Sequence, residues 1–93
     1  MQGEENGMDE QEIKSKGIAF YVLSKLHELC IAMPELASSV EEISPRVGLS
    51  LEETVEALNK LASDSLVTYL ETDGKRKFYL TSSGIIAACS IFT

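Results

Sequence analysis

The dipeptide Asp73-Gly74 stands between two segments that alternate apolar and polar residues, VTYLET at 67–72 and KRKFYLT at 75–81. An Asp-Gly pair in that setting is the strongest short-range signal for a two-residue β-turn. The pattern therefore predicts two antiparallel strands, and a two-residue turn leaves no freedom in their register. Tyr69 must face Phe78, Val67 must face Leu80, and Glu71 must face Arg76. The first two pairs form an apolar face and the third a cross-strand ion pair. Lys75 and Lys77 fall on the other face, with Leu70 and Thr72.

The rest of the chain has helical period. Residues 9–31 form a first helix opened by Asp9-x-x-Glu12, a capping-box pattern, and closed by Pro34. Its apolar positions, among them Ile18, Ala19, Phe20, Val22, Leu23, Leu26, Leu29 and Cys30, span roughly 200° at 100° per residue, wider than one core requires. The excess predicts a helix that buries two faces, one against its own domain and one against something else. Residues 39–47 form a second helix capped by Ser39-x-x-Glu42, with Gly48 as its terminator and Pro45 expected to kink or shorten it. Residues 50–64 form the third, capped by Ser50-x-x-Glu53. Leu51, Val55, Leu58 and Ala62 are expected to face the core beside Leu61 and Thr54, with Glu52, Glu56, Asn59, Lys60 and Ser63 facing out. Residues 82–92, SSGIIAACSIF, form a last helix or an extended tail without a polar stripe. Such a segment needs cover on every side, which a small monomer supplies with difficulty.

Ninety-three residues make one domain with a thin core. The net charge is −7, but residues 1–12 hold five acids and no base, leaving ten acids against eight bases in the remainder. Residues 1–8 are expected to be an acidic flexible tail, and 9–93 a single domain ending in a dimerisation segment. The acidic start is unlike a secretory leader, and no apolar run reaches the ~18–20 residues of a membrane span, so an intracellular (cytoplasmic) protein without membrane contact is expected. Three of the eight bases, Lys75, Arg76 and Lys77, crowd the hairpin tip, and no charged residue follows them.

One helix, a capped helix pair, a hairpin and a terminal helix form the order of a winged helix-turn-helix domain. The stretch SVEEISPRVGLSLEETVEALNKLASDSLVTYLE resembles that family's paired helices, with Gly48-Leu49-Ser50 as the turn. RKFYLTSSG at 76–84 resembles the wing-closing strand of MarR-like regulators, and the chain is also similar to small winged-helix proteins of archaeal viruses. The resemblance implies an α+β, mostly helical fold: three helices, a two-stranded wing and a C-terminal helix, in a homodimer. It implies a transcriptional regulator of duplex DNA, possessing a third helix that enters the major groove. Asn59 is suited to adenine, and Glu52 or Glu56 to cytosine N4, with Lys60 and Ser63 beside them. A carboxylate that finds no base donor meets phosphate repulsion, so Glu52 and Glu56 are equally well read as solvated residues. The wing cations Lys75, Arg76 and Lys77 would follow the backbone or the minor groove, and Arg46 and Ser50 are further phosphate candidates. The same three cations also suit a solvated hairpin end that blocks edge pairing.

Few phosphate contacts per chain favour two copies, and the wide first helix with Ile85, Ile86, Ile91 and Phe92 supplies an apolar surface for them. Cys30 and Cys89 fall on that surface as buried small hydrophobes, as a disulfide within or between chains, or as a redox sensor. Two cysteines and the lone His27 have no metal-ligand spacing, and no catalytic constellation or cofactor motif occurs, so neither metal, cofactor nor enzymatic activity is expected. The rival reading is a winged-helix protein–protein module that docks the acidic face of the third helix on a basic partner.

Overall fold

The computed structural model describes residues 10–91, with side chains from Gly17 to Ser90. Helix α1 (Glu10–Glu28) leads through a 3-10 turn (Pro34–Leu36) to α2 (Val40–Val47) and α3 (Leu51–Ser63), then to strands β1 (Val67–Thr72) and β2 (Lys75–Leu80) and helix α4 (Ser82–Ile91). The acidic run 1–8, the Asp9 cap and Phe92 lie outside the described residues, as do the side chains of Lys14, Lys16 and Ile91.

Two capping boxes set the starts of α2 and α3. Ser39 Oγ accepts from the Glu42 amide at 3.2 Å, and Glu42 Oε1 accepts from the Ser39 amide at 2.9 Å. Ser50 and Glu53 repeat the pattern at 3.1 and 3.2 Å. Each box satisfies two donors that a helix start leaves without partners. Pro45 lies within α2, and the helix stops two residues later at Val47. There Gly48 takes the left-handed φ of 76° and donates to the Ser44 carbonyl, which turns the chain into α3.

The hairpin has the predicted register, with Val67 opposite Leu80, Tyr69 opposite Phe78 and Glu71 opposite Arg76. Asp73 and Gly74 have φ of 54° and 78°, the two positive values of a type I′ turn, whose twist matches that of the strands. Val67, Phe78 and Leu80 are buried. The far edge of β2 is also occupied. Ser38 and Phe78 exchange backbone hydrogen bonds at 3.0 and 2.8 Å, and Leu80 donates to the Ile31 carbonyl at 2.8 Å. The core under it joins Val22, Leu23 and Leu26 of α1 with Ile43 and Val47 of α2, Leu58 and Leu61 of α3 and Ala88 of α4.

The apolar arc of α1 is covered by its own chain on one face only: Ala19, Val22, Leu23 and Leu26 are buried, while Phe20 and Leu29 are exposed. The end of α1 differs from the sequence expectation. The helix ends at Glu28, before Cys30. Cys30 adopts a left-handed φ of 61° while Ile31 folds back to donate to the Leu26 carbonyl and takes the core position. Cys30 is therefore exposed, and Cys89 is too; in the single chain both are free thiols at the surface. The α4 segment is helical, with Ala88 buried, Ile85 half-buried and Ile86 exposed, so the chain itself covers only one side of it.

The run Leu80-Thr81-Ser82-Ser83-Gly84 has a mechanical explanation. Thr81 Oγ1 accepts from the Gly84 amide at 3.0 Å, capping α4, and donates to the Ser65 carbonyl at 2.7 Å. Gly84 then passes so near the Leu66 carbonyl that any Cβ there would overlap it and press on Leu80. Gly84→Ala is expected to destabilise the fold by about 1–3 kcal/mol through this overpacking, lowering the thermal midpoint by several degrees in a circular-dichroism melt.

The Glu42 carboxyl is held below its ordinary value of 4.5, first by the Ser39 amide hydrogen bond and further by the positive charges of Lys77 and Arg46, with partial desolvation opposing them. A depressed carboxylate stabilises the fold above its unfolded pKa and loses that contribution as pH falls through the folded one. Glu42→Gln keeps an oxygen acceptor for the cap but no charge. Its thermal midpoint is expected to lie below the parent's at neutral pH and to converge with it in acid; a gap that stays constant to about pH 3 would refute the charge contribution.

Candidate nucleic-acid interface

A groove of about 440 Å³ separates the hairpin tip from α3. Gly74, Lys75, Arg76 and Phe78 form one wall, Leu51, Val55 and Asn59 the other, with Val40 and Glu41 of α2 contributing as well. The tip and the Leu51, Val55 and Asn59 side of α3 thus border one groove.

The two walls differ in chemistry. On the tip, Arg76 lies across the Tyr69 ring at 4.5 Å from its centroid, and its Nε is 3.6 Å from Glu71 Oε2. Tyr69 in turn tilts against Phe78, with ring centroids 5.5 Å apart. Phe78 is buried, so the guanidinium rests on a ring stack rooted in the core. Its side chain remains 54% exposed, and its ion pair, at the surface, is worth little. Lys75 is exposed on the same wall. Lys77, by contrast, is half-buried and acts electrostatically on Glu42 at the start of α2. The three clustered bases therefore divide: two border the groove and the third serves α2.

On α3 the exposed ridge nearest the tip is Leu51, Val55 and Asn59, at intervals of four residues. Leu51 is 52% exposed and Val55 39%. Both were expected in the core. Leu58 and Leu61 are buried as expected, together with Thr54, and Ala57 joins them, so the helix is rotated toward the Thr54–Ala57 side. A buried threonine is tolerable because its Oγ1 donates to the Ser50 carbonyl at 2.8 Å, leaving no unmet donor. Glu52 and Glu56 are exposed but do not border the groove. Lys60 is half-buried, and Ser63 Oγ donates to the Lys60 backbone carbonyl at 2.8 Å, which engages the serine hydroxyl in its own helix. The Ser50 hydroxyl is engaged in its capping box, and Arg46 is exposed on α2. The apolar ridge was missed because Leu51 and Val55 fit a helical core stripe as well as the set that is buried.

A second surface lies on α1 and α4. His27 Nε2 is 3.7 Å from Cys89 Sγ. Phe20 shares a face of α1 with His27, and Ile86 shares a face of α4 with Cys89. Phe20 is 43% exposed and Ile86 66%. His27 and Cys89 are 62 positions apart in the sequence, and the packing of α4 on α1 brings them together. Among the described residues, no three metal-ligand side chains cluster, and no helix is long and apolar enough to cross a membrane.

No family model matches the chain, and no curated protein matches it. Solved structures do. A protein of Ralstonia eutropha JMP134, provisionally described as DNA-binding, is 26% identical with a TM-score of 0.69, over 83% of this chain and 96% of that one. F-93 of SSV1 is 19% identical with a TM-score of 0.62, over 80% of each chain. A single-residue variant of ZitR from Lactococcus lactis is 19% identical with a TM-score of 0.56, over 74% of this chain and 49% of that one. Together with four helices around a two-stranded antiparallel sheet, these similarities make the fold an α+β, winged-helix-like one.

Proposed function

We propose that this protein binds duplex DNA as a homodimeric transcriptional regulator of the MarR-like winged-helix type. The reading rests above all on one observation: the cations of the hairpin tip and the exposed ridge of α3 border the same groove. In this arrangement α3 lies along the major groove, Asn59 reaches base edges, and Lys75 and Arg76 meet phosphates or the adjoining minor groove. The Ralstonia protein's description as DNA-binding supports the same reading. Glu52 and Glu56, on the flank away from the tip, act as electrostatic guards against phosphate rather than as base contacts. Lys60, Ser63, Ser50 and Arg46 contribute at most backbone contacts.

A salt titration of binding to random duplex DNA tests this. Affinity should fall as salt rises, and Lys75→Ala and Arg76→Ala should each weaken binding and reduce the salt slope by about 1. No retention at about 50 mM salt would overturn the reading and favour docking of the acidic α3 flank on a basic protein.

The dimer is expected to pair the α1–α4 surface bearing Phe20, Ile86 and Cys89. Sedimentation should give twice the chain mass of 10.2 kDa. Ile86→Lys, at an exposed position, should return a single folded chain; a wild-type monomer, or a variant that stays dimeric, would refute this interface. A disulfide through Cys89 or Cys30 would add a second band on a non-reducing gel.

A further inference from the structure

We propose that Leu51 and Val55 read the 5-methyl groups of thymine, so that the protein selects A·T pairs through an apolar ridge beside Asn59. This rests on the reading of α3 as the helix that enters the major groove.

Three observations converge. First, the ridge is exposed and apolar where the helix begins. Leu51 is the first residue of α3 and Val55 lies one turn on, 52% and 39% exposed. In helix-turn-helix docking, the N-terminal residues of the reading helix contact base edges. The thymine methyl is the major groove's apolar feature, and apolar side chains recognise it by contact. Second, the ridge continues into Asn59, the third α3 residue on the groove wall. A carboxamide pairs bidentately with adenine N6 and N7, so a methyl contact and an amide contact select the same base pair from its two ends. Third, the charges are placed for it. Lys75 and Arg76 stand across the groove, where they would hold a phosphate backbone; among the described residues Glu41 of α2 is the one carboxylate on its walls, and Glu52 and Glu56 are absent from them. A basic protein partner would meet the opposite arrangement, cations beside the apolar ridge.

The experiment begins with selection of bound sequences from random duplexes by the intact protein. Each thymine of the selected site is then replaced by deoxyuridine, which removes only the methyl. Replacement at a contacted position should weaken binding about fourfold, corresponding to about 0.8 kcal/mol for one methyl-sized group removed from water. Val55→Ala and Leu51→Ala should weaken binding to the thymine duplex and narrow the thymine–deoxyuridine difference at the position each touches. The deoxyuridine series on the wild-type protein stands by itself if a variant fails to fold. Equal affinity for thymine and deoxyuridine duplexes, or a selected site without thymine, overturns the methyl reading and leaves DNA binding intact. No duplex retained at low salt overturns both.

Discussion

Backbone pairing along both edges of β2 anchors the wing to the helical core. On one edge it meets β1; on the other, Phe78 exchanges two hydrogen bonds with Ser38, and Leu80 donates to Ile31. A strand held this way cannot slip by one residue without turning Phe78 and Leu80 out of the core. The same strand carries Lys75 and Arg76 at its free end. Anchoring the apolar half therefore aims the cationic half, and the groove between tip and α3 inherits its shape from the packing beneath it.

Much of this architecture was legible because local signals agreed. The Asp73-Gly74 turn fixed every cross-strand pair, and the two serine boxes marked the starts of α2 and α3 to within a residue. Helix rotation was less legible. Leu51, Val55 and Leu58 satisfy a helical period as well as Thr54, Leu58 and Leu61 do. Hydrophobicity favours the first set, whereas the second is the one buried, which Thr54 permits by satisfying its hydroxyl within its own turn. Cys30 illustrates a boundary problem. Periodicity carries the helix through it, but the left-handed turn that hands the core position to Ile31 has no glycine to announce it.

The electrostatics also became clearer once residues were placed. An acidic chain with a basic tip looks contradictory in a linear sequence. In space, Lys77 lies off the groove and its charge acts on Glu42 at the start of α2, while Glu52 and Glu56 occupy a flank of α3 that does not border the groove. What remains at the groove is a small balance: two exposed cations against Glu41, with Asn59 between them and an apolar ridge. An interface of this kind relies on fit more than on charge count.

The stacking of Arg76 on Tyr69 has a kinetic side. A long cationic side chain on a free hairpin end samples many rotamers, and any ligand must freeze them on arrival. Here the ring stack, continued into Phe78, holds the guanidinium face while leaving its edges to solvent. An incoming anion need only displace the loosely held Glu71 carboxylate, an exchange of one weak partner for another. For a phosphate bound there as proposed, the tip would be a pre-set latch, quick to engage and equally quick to let go.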